Sequence, residues 1–346
     1  MYKTPRILFL CPSNLSPTGG VQKIYEFAQA LADAGFASFV LHRNSRYRPN
    51  WFESDVPVLG SNDVVVEPCD LLVVPEFMGT TIPQLEGCAK VVLNQNSYIV
   101  FDENFHNKEV VSIVVVSDYI RRYSEFAYPR KTILPIHMGY DKTIFNAVNC
   151  RKKKQIAYMP RRRSIDSKRI LQALDARGAL SGWTLAPIDG LNARQVADVM
   201  RESMIFLSFS QREGFGLPPL EAMACGCLVV GFHGHGGAEF FDSAYCYPIP
   251  EDDMCGFQEI LESILVSADA EDICELKGRQ AAQAIASRYD LKRQSNDVIN
   301  AFSKAQIVAQ SLQGLKPVAL KDICFETSKI RLFLRHLKNA FNVIIE

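Results

Sequence analysis

Short unbroken runs of apolar residues recur along the first part of the chain, with helix-like or loop segments between them. Arg6-Ile7-Leu8-Phe9-Leu10, Ala37 to Leu41, Asp70-Leu71-Leu72-Val73-Val74-Pro75, Lys90-Val91-Val92-Leu93 and Ser112-Ile113-Val114-Val115-Val116 are such runs. Continuous rather than alternating apolar character is what strands buried on both faces require, and such strands belong to parallel sheets. Between them the pattern predicts helices over Val21 to Ala34, ended by Gly35, and over Asp118 to Phe126, with Ser117 as the cap and Asp118 in the first turn. The polar stretch Asn146 to Lys154 then precedes a new strand, Gln155-Ile156-Ala157-Tyr158, and marks a boundary. Beyond it, Asn192-Ala193-Arg194-Gln195 fits a capping box for a helix ending near Ser203, and Met204 to Phe209 is an apolar run of strand length. After Tyr245 the chain turns largely helical: Met254 to Val266, Glu271 to Arg288, and Leu291 onward. The expectation is an α/β protein with one domain over 1–150, a second over 151–305 and a helical segment over 306–346.

Composition sharpens this. A chain of 346 residues with 48% hydrophobic content exceeds what one small core needs and suits two domains of ordinary size. Lys+Arg and Asp+Glu number 38 each, so bulk charge gives no argument for nucleic acid or an anionic membrane. The ten cysteines show neither paired zinc spacing nor the density of a disulfide-stapled small domain, and read as reduced thiols of a cytoplasmic protein. Ile7 to Cys11 is too short for a signal-peptide core, and no later segment approaches a spanning length. Soluble, or at most attached to a membrane surface, is the reading.

The chemistry concentrates in Gln211-Arg212-Glu213-Gly214-Phe215-Gly216-Leu217-Pro218-Pro219-Leu220-Glu221. It follows a strand and runs into a helix through Ala222-Met223-Ala224-Cys225 that Gly226 can end. Pro218 and Pro219 suit the first helical turn, where a missing N–H costs nothing, so the amides of Phe215, Gly216 and Leu217 are the unpaired donors of an anion-attracting helix end. Glu213 and Glu221, acceptor-only when ionised, suit sugar or ribose hydroxyls beside a phosphate held by those amides.

Glu213 and Glu221 with seven residues between them, then Glu221-Ala222-Met223-Ala224-Cys225-Gly226 and Gly236-Gly237-Ala238-Glu239, closely resemble the retaining glycosyltransferases of the GT-B fold. Gly19-Gly20-Val21-Gln22 followed by Leu31-Ala32-Asp33-Ala34-Gly35 resembles that family's N-terminal loop and helix, and Ile133-Leu134-Pro135 with Met138-Gly139-Tyr140 its exit from the first domain. The resemblance implies two Rossmann-like halves facing across a cleft, with the acceptor on the first and a nucleotide-diphosphate sugar on the second. Glu221 would hold the donor ribose, and Glu213 with the amides of Gly214 to Leu217 would meet sugar and diphosphate. No cofactor or metal is implied.

From Arg151 to Arg169 nine basic residues stand against one acid, Asp166. They are either a diphosphate clamp at the carboxyl end of a strand, or a solvated basic face or acidic-lipid contact. The family places an arginine and, a few residues later, a lysine there, and Pro160-Arg161 replaces its usual Gly-Arg. Arg161 with Lys168 is the favoured pair, Arg163 the alternate. Gly19 and Gly20 admit close approach of backbone to donor or serve the turn alone. Relatives have a histidine after the fourth N-terminal strand; here stands Asn94-Gln95-Asn96. Asn94 and Asn96 either bond sugar hydroxyls or form a polar loop, and His106 could fold back into the cleft. His233 and His235 lack a third zinc ligand in sequence, and Glu239 is expected to cap or brace the next helix. The last segment, with Ile330, Phe333, Leu334, Leu337, Phe341 and Ile344 at helical spacing among basic residues, would pack on the body, on a second subunit or on a membrane face, and the resemblance implies that the C-terminal helical segment over 306–346 returns to the first domain. The reading is a glycosyltransferase for a bacterial surface glycan or glycolipid. A nucleotide-sugar epimerase of the same fold and a non-catalytic nucleotide-sugar-binding subunit stand as alternatives.

Overall fold

The computed structural model describes residues 4–14, 17–97, 101–148 and 151–321. The amphipathic segment over 329–344 lies outside them. The first half runs β1 (Arg6–Leu10), α1 (Gly19–Asp33), β2 (Ala37–His42), β3 (Val58–Gly60), β4 (Val65–Val66), β5 (Leu71–Pro75), β6 (Ala89–Asn94), β7 (Val110–Val115), α2 (Asp118–Ala127) and β8 (Thr132–Pro135). All but β4 form a parallel sheet in the order β3-β2-β1-β5-β6-β7-β8. Every residue of β5, β6 and β7 is buried, as their unbroken apolar runs require.

The second half runs β9 (Lys153–Tyr158), α3 (Ser164–Ala176), β10 (Thr184–Pro187), α4 (Ala193–Glu202), β11 (Ser203–Phe209), α5 (Leu217–Ala224), β12 (Leu228–Phe232), β13 (Tyr247–Pro248), α6 (Met254–Leu265) and α7 (Ala270–Arg288). Its parallel sheet is ordered β10-β9-β11-β12-β13, with β11, buried at all seven positions, in the middle. The central motif therefore leaves the centre of its sheet. Both expected caps are made: Ser117 accepts the amide of Ile120, and Asn192 and Gln195 form a reciprocal capping box.

The chain then returns to the first half, earlier than the pattern suggested. Helix α8 (Leu291–Gln310) packs across α1, β6, β7 and β8, burying Val298, Ala301, Phe302 and Ala305, with the Phe302 ring 5.3 Å from that of Phe9. A short strand, β14 (Val318–Ala319), pairs antiparallel with β4. The second domain thus ends near Tyr289, and 291–305 belongs to the first. An apolar helical face states that it is covered, not by what. At the crossing a Cβ on Gly139 would lie 2.5 Å from the carbonyl of Asp290, so glycine lets the outgoing and returning segments touch. Lys23, buried, ties the crossing by donating to Gly139 O at 2.7 Å and Gln294 Oε1 at 3.1 Å.

Candidate functional site

Carboxyl ends of both sheets meet here. From the second half, β11 delivers a loop ending at Gly216, whose φ of 94° is left-handed, and α5 follows with prolines in its first turn. Glu213 is held by its own backbone: its amide donates to Gly234 O at 2.7 Å and its carbonyl accepts from Gly236 at 3.2 Å. A Cβ on Gly236 would fall 2.1 Å from Gly214 O, so the two loops lie glycine against backbone. The Glu213 side chain is mostly buried, and Oε1 lies 3.0 Å from Nη1 of Arg162. Burial raises its pKa above the ordinary carboxylate range, and Arg162 opposes the rise.

From the first half, the end of β6 closes onto this loop. Asn96 and Glu213 form an antiparallel backbone bridge across the cleft. A Cβ on Gly214 would fall 1.8 Å from Gln95 O. Gln95 also donates its backbone N–H to the buried Glu76 at 3.2 Å, and its Nε2 to Gly20 O at 3.2 Å. Gly19 completes the junction: a Cβ there would stand 3.2 Å from Leu217 Cδ1. Three strand ends of one half therefore converge on the glycine loop and helix start of the other. Among the described residues, four other than glycine hold positive φ, Arg163 (41°), Arg212 (50°), His235 (68°) and Asp252 (66°). All flank this junction or pair with residues that do, which is where strained backbone marks a working site.

Glu221 is half-buried on α5, facing Lys23 and Glu26 of α1. Loss of solvent pushes its pKa up to about 7, with Lys23 pulling down and Glu26 up. Because α5 begins at Leu217, Glu221 stands in its second turn rather than its first. Glu76, at the carboxyl end of β5, is likewise pushed up to about 7 by burial.

Residues 188–280 match the family model "Glycosyl transferases group 1". The chain is 29% identical over 245 residues to an alpha-1,6-glucosyltransferase of Actinobacillus pleuropneumoniae serotype 7 (strain AP76), covering 66% of this chain and 73% of that one. Among solved structures it resembles a sucrose-phosphate synthase from Thermosynechococcus elongatus, with TM-score 0.65, 14% identity and coverage of 89% of this chain and 100% of that one. It also resembles Anabaena Alr3699/HepE in complex with UDP and glucose, with TM-score 0.63, 12% identity and coverage of 87% and 100%. The chain has the GT-B fold. The family and curated matches support a glycosyltransferase of group 1, and the family match spans both acids of the central motif.

Within the GT-B frame the three consecutive arginines point in three directions. Arg161, favoured from sequence, instead pairs with Asp189 at 2.8 Å at an exposed edge. Arg163, the alternate, is internal: its side chain is 5% exposed, bound to Glu251 at 3.0 Å and to Asp252, and stacked 4.5 Å over Phe232. Arg162 is the one that reaches Glu213. The left-handed turn at Arg163, where α3 begins, sets this order. Lys168 lies exposed on α3.

The first-half residues sort similarly. Asn94 is 2% exposed and its Oδ1 accepts the amide of Asn96 at 3.2 Å, so it shapes the loop rather than facing a ligand. Asn96 stands on the cleft through its bridge to Glu213. His106 does not fold back into the cleft. It packs on Phe101 and Tyr128, ahead of β7, at the end of the sheet away from the site. His233 and His235 ring centroids are 6.3 Å apart, and His235 stacks on Tyr119 of the first half at 4.9 Å. Among the described residues no cluster of three or more His, Cys, Asp or Glu could hold a metal. Glu239 caps a helix, but across the cleft: it accepts the amide of Asp118 at the start of α2, at 3.0 Å. Gln95 and Glu76 were not singled out by sequence, although each stands at the carboxyl end of an apolar run, the position that selected Gly19 and Gly20.

Proposed function

We propose that this protein is a retaining glycosyltransferase that moves a hexose from a nucleotide-diphosphate sugar to a glycan or lipid-linked acceptor, in bacterial surface polysaccharide or glycolipid assembly, without a bound metal. The observation that carries the reading is the ion pair of Arg162 and Glu213 at the mouth of the glycine loop, with the opposite half closed against it. Arg162 is then the cation that leaves Glu213 for the departing diphosphate, joined by the amides of Phe215 to Leu217, with Lys168 as the second cation of the reading. Glu221 holds the ribose, and Glu213, released from Arg162, accepts from sugar hydroxyls. Catalysis is positional and electrostatic, and the departing phosphate takes the acceptor proton, so no protein general base is assigned. The glucosyltransferase likeness and the Anabaena protein bound to UDP and glucose support UDP-glucose as the first donor to test.

The test is nucleotide release from a panel of nucleotide sugars with and without acceptor glycans, in EDTA, with the product's anomeric configuration read by NMR. UDP released only when acceptor is present, and an α-linked product from an α-linked donor, are expected. Release without acceptor accompanied by an altered sugar would point to the epimerase, no nucleotide sugar bound or turned over would remove the reading, and activity lost to EDTA would remove its metal-free part.

A further inference from the structure

A cavity of about 350 Å³ opens between the halves, walled by the start of α2 on one side and by Glu239 and the end of α7 on the other. That lies within the roughly 300–1,000 Å³ in which small molecules bind. Three arginines line it from three elements: Arg121 on α2, Arg288 at the end of α7 and Arg293 on α8. The acids in its wall are already engaged. Asp118 pairs with Arg121 at 2.5 Å, and Glu239 takes the Asp118 amide at 3.0 Å and the Tyr289 hydroxyl at 3.4 Å. Arg121 is committed as well, between Asp118 and Glu125, and His137 pairs with Asp297 at 2.7 Å. Arg288 gives one N–H to Glu239 O at 2.9 Å and lies over the Tyr289 ring. Arg293 makes no side-chain hydrogen bond or ion pair among the described residues, so the unspent donors facing the cavity belong to Arg288 and Arg293. Its floor, Val116, Pro135 and Ile136, is apolar.

We propose that this cavity receives the acceptor, and that the acceptor unit bound there carries an anionic group, a phosphate or carboxylate on a sugar or polyol, gripped by Arg288 and Arg293. The inference rests on the glycosyltransferase reading. Guanidinium forks match both oxyanions, and an apolar floor under polar walls suits the C–H face of a sugar. A short chain of contacts links its wall to the donor loop: Tyr119, next to Asp118, stacks on His235, whose backbone bridges Glu213.

Calorimetric titration of the whole chain with glucose, glucuronate and glucose 6-phosphate tests this. At least one charged sugar should bind about tenfold or more tightly than glucose, and which one does names the oxyanion. Arg288→Ala and Arg293→Ala should each weaken that binding by about tenfold, with Arg293→Lys restoring part of it. Glucose binding as well as both charged sugars, no charged sugar binding, or variants that bind like the parent would each overturn the proposal. UDP titrated alongside reads the donor site, so failure of the anion site and failure of the transferase reading are distinguishable.

Discussion

Arg162 is one of three adjacent arginines, and only its neighbours in space distinguish it. Removing it takes away the guanidinium paired with Glu213, so Arg162→Ala should lower kcat/KM by about 10²-fold or more, the scale of losing a stabilising group at a departing charge. Arg161→Ala, which loses only the exposed pair with Asp189, should change turnover little. Equal losses in steady-state assays of the two variants would return the clamp to the basic cluster as a whole. Glu76 gives a pH signature. Its pKa is raised from 4.5 to about 7 in the folded chain, so folding favours its protonated form: the contribution is full below about pH 4.5 and is lost as pH rises through about 7. Glu76→Gln keeps an acceptor for the Gln95 amide and removes the titration. The variant should gain stability over the parent at pH 8, by at most on the order of 3 kcal/mol, and gain nothing at pH 4.5. Melting curves at the two pH values decide; a gain independent of pH would mean that Glu76 is not the titrating group.

Strand and helix positions were legible because burial on both faces writes itself as unbroken apolar runs, and caps as local polar signatures: β5, β6, β11, Ser117 and the Asn192 box are all readable from sequence. Asn192→Ala should accordingly cost about 1 kcal/mol in denaturant melts and leave turnover alone. The lining-up of Gln95 with Gly214 and the bracing of α2 by Glu239 were not legible, since each is set by loops that meet only after both halves fold; nor was the direction of Arg162, because it turns on the left-handed residue Arg163 and on a loop two strands later in sequence within the second half. Gly214 is where loop and function join. Its φ is not in the left-handed region, so alanine strains no backbone in the isolated half, yet its Cβ would fall 1.8 Å from Gln95 O once the halves close. Gly214→Ala should therefore melt within a few degrees of the parent and retain nucleotide binding, while kcat falls on the order of 100-fold. Small-angle scattering should show the variant more open. A variant as active and as compact as the parent would mean that the Asn96–Glu213 bridge is not part of the working state.

At the scale of the molecule, the helix that follows the second domain in sequence belongs to the core of the first. Phe302 is fully buried, its ring against Phe9 of the first strand, although the two stand 293 positions apart and the whole second domain lies between them in sequence. Truncating such a side chain costs about 3–5 kcal/mol through lost burial and the cavity left behind. Were the second domain to extend through α8, that loss would fall on the second half; as the structure has it, the first half should bear it. The chain's two tryptophans separate the cases, because Trp51 sits in the first half and Trp183 in the second, its Nε1 donating to Leu265 O at 3.3 Å. In Trp51→Phe and Trp183→Phe backgrounds, each retaining one reporter, Phe302→Ala should shift the denaturation midpoint seen by Trp51 well below that seen by Trp183. Both midpoints moving together would show that the apolar contact between the halves is strong enough to melt them as one unit. A shift confined to Trp183 would place the helix with the wrong core, and with it the crossing at Gly139 that lets one domain hold the other at the distance the cleft needs.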